Sequence, residues 1–96
     1  MDHTRKLRIL NIFLEAVEKA RASRKGADVL LDDADELVGI VRAKVTVSNR
    51  DGEFKLHFIV GANNEIAAYG PKGPIRCSLT TVSIATAIGD EIQRAT

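Results

Sequence analysis

The stretch from Thr4 to Lys25, TRKLRILNIFLEAVEKARASRK, is the feature that most restricts how this chain can fold. Read at helical pitch, Leu7, Leu10, Leu14 and Val17 line one side. Ile9, Ile12, Ala16 and Ala20 line another, with Phe13 between them. The apolar arc is roughly 220° wide. Arg8, Asn11, Glu15, Glu18 and Lys19 are left for water. One sheet covers about half of such an arc, so the helix is expected to have two partners. One is its own sheet. The other is expected to be a second copy of the chain, docked on Ile9, Ile12, Ala16 and Ala20, so that Ile9→Asp or Ile12→Asp would break a dimer and spare the fold.

Thr4 or Asp2 offers the side-chain oxygen of an N-cap, and Arg24, Lys25 and Gly26 supply the stop. Arg5, Lys6 and Arg8 sit at the wrong end for the helix dipole, which implies another use for them.

After the helix the period becomes two. Ala27 to Leu31 reads as a short strand, and Asp32, Asp33, Ala34, Asp35 and Glu36 as a solvated turn. From Leu37 a long strand puts Leu37, Val41, Ala43, Val45 and Val47 on one face, with Gly39 as a bulge. Val38, Ile40, Arg42, Lys44, Thr46 and Ser48 fall on the other. Asn49-Arg50-Asp51-Gly52 has hairpin composition, and Glu53 to Val60 returns with Phe54, Leu56, Phe58 and Val60 inward and Lys55, His57 and Ile59 outward. Gly61-Ala62-Asn63-Asn64 turns the chain into a third strand over Glu65 to Tyr69. Gly70-Pro71-Lys72-Gly73-Pro74 reads as a loop. Ile75 to Thr96 admits two readings. Alternation and β-branching favour a fourth strand to about Ile84 followed by a short helix, whereas Ile84, Ile88 and Ile92 at i,i+4 also fit one long helix from near Leu79.

With 96 residues, 45% hydrophobic and 28% charged, residues 1–96 form a single domain of ordinary globular composition. A formal net charge of +1 argues against a general polyanion binder. The lone Cys77 excludes an internal disulfide framework and fits a reducing compartment. The N-terminus leads into an amphipathic helix and no apolar run is long enough to span a bilayer. The expectation is a soluble, cytoplasmic protein of bacterial or phage type without membrane attachment.

His3, His57 and Cys77 are the obvious candidates for nucleophilic or metal chemistry. A catalytic thiol needs a base within hydrogen-bond reach. Strand parity sends Cys77 into the core and His57 outward, so Cys77 reads as a structural thiol. Asp28 with Asp32 to Glu36 lacks the spacing and glycine of a calcium loop. The Gly70–Pro74 segment has two residues without N–H and no hydroxyl after its lysine, unlike a phosphate-binding loop. No catalytic residue, metal, cofactor or small-molecule substrate is therefore assigned. The outward sheet face gathers Arg42, Lys44, Lys55 and His57, with Arg76 nearby, a patch suited to an acidic partner or nucleic acid. Tyr69 is its single aromatic, too few for a base-stacking platform.

Three segments resemble the second type of trypsin-co-occurring domain, a small bacterial module. Lys55-Leu56-His57-Phe58-Ile59-Val60 is similar to its basic-aromatic-Val strand, Pro74-Ile75-Arg76-Cys77-Ser78-Leu79-Thr80 to its closing strand, and Leu7 to Ala22 to its opening helix. The chain lacks the Trp that the family's second strand often carries, and it continues beyond Ala85. The resemblance implies a non-catalytic adaptor of signalling or conflict systems, with no functional residues to transfer. A continuous last helix would instead give the α-β-β-β-α order of double-stranded-RNA-binding domains. The lysines those carry at the start of that helix are replaced here by Cys77, Ser78, Leu79, Thr80 and Thr81.

The expectation is thus an α+β domain: a long N-terminal helix on an antiparallel meander of three or four strands, then a short C-terminal helix. Its expected role is protein–protein interaction, as an adaptor or small inhibitor acting as a homodimer, with nucleic-acid binding as the alternative.

Overall fold

The computed structural model describes residues 3–23 and 26–95. The proposed cap Asp2 and the Arg24–Lys25 stop lie outside them. The order is α1 (His3–Ser23), β1 (Asp28–Leu37), β2 (Ile40–Asn49), β3 (Gly52–Val60), β4 (Ile66–Gly70), β5 (Gly73–Ile75) and α2 (Thr81–Ala95). The strands form one antiparallel sheet in sequence order, with β1 and β5 at its edges. This is the expected α+β meander, lengthened to five strands.

Alternation decides the two faces. Val29, Val41, Ala43, Val45, Val47, Leu56, Phe58, Val60 and Ala68 are buried under the helices. The β2–β3 pairing has the anticipated register, closing at Asn49↔Gly52. Asn49 Oδ1 accepts from the Asp51 N–H at 2.9 Å and steadies that turn. Asn64 adopts a φ of 64° in the β3–β4 turn, as its residue type suggests.

The acidic run does not form a turn. Asp32 to Glu36 continues β1, with a bulge between Leu31 and Asp33 that resets the parity. The turn falls at Val38-Gly39, between the paired Leu37 and Ile40. Both residues have positive φ, 52° and 78°, as a two-residue type I′ turn requires. Leu37 consequently faces outward and is exposed, not inward as the simple alternation suggested. Beyond Tyr69, Gly70 pairs with Gly73 around Pro71-Lys72, and Gly73 to Ile75 forms a fifth strand. Pro74 is tolerated there because an edge strand leaves one side without a hydrogen-bonding neighbour.

The expected strand from Ile75 to Ile84 stops at Ile75. A cap decides the matter. Thr80 Oγ1 accepts from the Ser83 N–H at 3.1 Å, and Ser83 Oγ accepts from the Ser78 N–H at 2.8 Å. The first bond satisfies a first-turn donor that a new helix would leave bare, and the second ties the preceding chain to that turn, so α2 begins at Thr81.

Both helices lie on one face of the sheet. Thr81 Oγ1 donates to Glu15 Oε2 at 3.3 Å, while Lys19, Ala20 and Ser23 lie beside Ala85, Thr86, Gly89 and Asp90, so the helices run in the same direction. Ala16, Ala20, Ala85 and Gly89 keep this seam narrow. Phe13 packs against Phe58 beneath it, ring centroids 5.2 Å apart and planes at 58°. Arg5 ties the start of α1 to the sheet, donating to the Gly39 and Gly61 carbonyls at 2.7 and 2.6 Å. Arg21 ties its end through two bonds to the Val29 carbonyl, at 3.1 and 2.6 Å.

Candidate docking surface

The face of α1 assigned above to a second chain belongs to the core. Ile9 is 2% exposed, Ala16 and Ala20 are buried, and Ile12 is half-buried against the same cluster. The second partner of the helix is α2 of the same chain. A dimer cannot use this face without unpacking the fold, and Ile9→Asp would not spare it.

The surplus apolar surface lies on the opposite flank. Leu7, Leu10, Leu14, Val17 and Arg21 are spaced by three and four residues and share one side of α1. Val17 is buried and Leu10 half-buried, whereas Leu7 and Leu14 are 59% and 48% exposed. Two hydrogen bonds lay α1 along β1: Arg21 reaches Val29 near the start of the strand, and Arg5 reaches Gly39 in the turn after its end. The two elements therefore run side by side, antiparallel. Leu31 and Ala34 of β1 are half-buried. The outer edge of β1 pairs with no strand among the described residues.

The other face of the sheet carries no helix, and two of its cations, Arg42 and Lys55, are ion-paired. Arg42 holds Asp35 through two bonds of 3.0 and 2.6 Å. Those bonds, aided by the charges of Arg42 and Lys6, keep the Asp35 carboxyl below the ordinary aspartate value. Asp32 is held low by its bond from Thr46, at 3.0 Å, and then by Lys55, at 3.4 Å. Lys55 also reaches Glu53 at 3.6 Å. Lys44 and His57 are cross-strand neighbours on this face, and His57 is exposed. Arg76 is exposed but follows β5, two strands beyond β3. A basin of about 420 Å³ lies between Asp33, Asp35, Arg42, Lys44, His57 and Ile59. Its two acids match its two permanent cations, so it lacks the field that would draw a polyanion.

Cys77 is half-buried, and burial alone pushes its thiol pKa upward, away from the thiolate a nucleophile needs. Among the described residues no three His, Cys, Asp or Glu side chains gather as a metal site, and no helix is long and apolar enough to cross a membrane.

Alternation and helical spacing identified the helix residues and the cations of the sheet face, but not Asp33 and Asp35, whose acidic run has the composition of a turn. What neither could show was which flank of α1 would receive α2. The exposed leucines were visible as one side of the wide arc, but that side was assigned to the protein's own sheet. Comparison with family models, curated proteins and solved structures finds no match to the chain.

Proposed function

We propose that this is a non-catalytic protein-binding module that docks through the Leu7–Leu10–Leu14 flank of α1 beside β1. One observation carries the reading: Leu7 and Leu14 are 59% and 48% exposed on the flank of α1 away from α2, whereas Ile9, Phe13, Ala16, Val17 and Ala20 of the same helix are buried. A solvated helix flank has no use for them, and an exposed apolar strip suits a partner. The adaptor role implied by the trypsin-co-occurring resemblance agrees with this surface but does not depend on it. Nucleic-acid binding through Arg42, Lys44, Lys55, His57 and Arg76 is the weaker reading, because Arg42 and Lys55 are already paired.

The test is capture from a lysate of the native host, comparing the unmodified protein with a Leu7→Asp/Leu14→Asp variant. A partner retained by the first and lost by the second is expected, with the thermal unfolding of the two alike. Equal retention, or none by either protein, contradicts the reading.

A further inference from the structure

We infer that the occupant of the exposed leucine flank is a second copy of this chain, with the two α1 helices antiparallel about a two-fold axis near Asn11. This rests on the docking reading above and goes further by naming the partner and its geometry.

Leu7, Asn11, Leu14 and Glu18 follow one another at intervals of four, three and four residues, and all are exposed. That spacing is the 3.5-residue seam along which two helices interlock. Arg8 and Glu15, both exposed, line one side of the seam, and Leu10 lines the other. The side chains of Arg8, Asn11 and Glu18 meet no hydrogen-bond or ion-pair partner among the described residues. Of the cations near the start of α1, Arg5 holds two turns and the charge of Lys6 acts on Asp35. Arg8 is left without such a use.

A second copy supplies one. In an antiparallel helix pair like flanks meet, so Arg8 of each copy lies against Glu15 of the other and the Leu10 sides close together. Leu7 of each copy comes to rest against Leu14 of the other. Glu15 keeps acceptor capacity for this beyond its bond from Thr81. Glu18 falls near the positive N-terminal end of the facing helix. The Asn11 amide, close to the axis, can bond its own symmetry copy, the kind of polar contact that fixes register in a helix pair. A parallel pair loses the charge match. It would set Leu10 of one copy against Arg8 and Glu15 of the other and align the two dipoles.

The contact runs from Thr4 to Arg21, about 26 Å of helix. Two such faces bury on the order of 1,000 Å² in all, the lower end for a specific interface, so the dimer exchanges with monomer. The partner captured from the host is then the native copy of this chain. The dilute protein is the free state, with its leucines open.

Sedimentation velocity over a range of concentrations tests this, with charge reversals as the variants. The unmodified protein is expected to pass from monomer to dimer. Arg8→Glu and Glu15→Arg, both at exposed positions, should each weaken the dimer about tenfold, and Leu14→Asp by at least as much. Combining Arg8→Glu with Glu15→Arg in one chain should restore it, a result that damage to the fold could not give. Isotope-filtered NMR on a mixed dimer should show methyl contacts between Leu7 of one copy and Leu14 of the other. A monomer at every concentration overturns the inference. So do a dimer indifferent to these substitutions, a doubly reversed chain that stays monomeric, and contacts of Leu7 with Leu7 alone. Capture of a different host protein by a chain that sediments as a monomer, lost on Leu7→Asp/Leu14→Asp, would uphold the docking reading and overturn this inference, so the two can fail separately.

Discussion

The Arg5 guanidinium donates to the carbonyl oxygen of Gly39 at 2.7 Å, joining residues 34 positions apart in the chain. The same group bonds Gly61 and Asn64, so one side chain holds the β1–β2 and β3–β4 turns together. A cation in the first turn of a helix opposes the dipole, and this network is what offsets that cost. Arg5→Ala should destabilise the fold by about 1–3 kcal/mol, since charged hydrogen bonds are lost to partly buried carbonyls. Urea unfolding gives the value, and faster amide exchange at Gly61 and Asn64, whose N–H groups bond within the β3–β4 turn, would place the loss there.

Val38 is expected to be worth replacing. It is 89% exposed and holds a φ of 52°, a conformation costly for a β-branched side chain. Asparagine before Gly39 is the preferred pair for this turn. Val38→Asn should therefore raise the unfolding free energy by about 1 kcal/mol. A loss of stability would show that the valine makes a contact the turn needs.

Gly70 sits where no side chain fits. A Cβ there would lie 2.6 Å from Glu91 Oε1 and 3.1 Å from both Ile75 Cδ1 and Leu56 Cδ2. Glu91 is buried and paired with Arg94 at 3.2 Å, so it cannot swing aside without leaving its partner. Gly70→Ala should cost about 1–3 kcal/mol by overpacking. A Gly70→Ala/Glu91→Ala double variant should lose less than the sum of the two single changes, which chemical denaturation can measure.

The acid limb of stability should depend on Asp32 and Asp35. Both folded-state pKa values are depressed, Asp32 by Thr46 and Lys55 and Asp35 by Arg42. Their contribution is therefore complete above the unfolded aspartate value and is lost as pH falls through the lower folded values, below about pH 4. An Asp32→Asn/Asp35→Asn variant should show a shallower fall in melting temperature over that range than the unmodified protein. Parallel curves would contradict the assignment.

These sites also show what could be read from the residues alone. The β2–β3 hairpin was legible because its alternation is strict and its turn is marked by Asn49 and Gly52. β1 was hidden. Its bulge breaks the alternation at Asp32, its acids resemble a turn, and its real turn uses Val38, a residue with no turn chemistry of its own. The choice between strand and helix after Ile75 rested on the Thr80 and Ser83 cap, whose hydroxyls are equally at home in a strand. On α1 the width of the apolar arc was legible. Which flank α2 would cover was not, because Ile9, Ile12, Ala16 and Ala20 gain their partner only when the two helices meet.

The most direct test of the central claim is methyl NMR with a soluble paramagnetic agent, on the free protein and on the protein bound to its captured partner. The Leu7 and Leu14 methyls should be strongly broadened when free and protected when bound, with Ile9 and Ile84 silent in both states. Protection of Leu7 and Leu14 in the free protein, or continued broadening in the complex, would contradict the account.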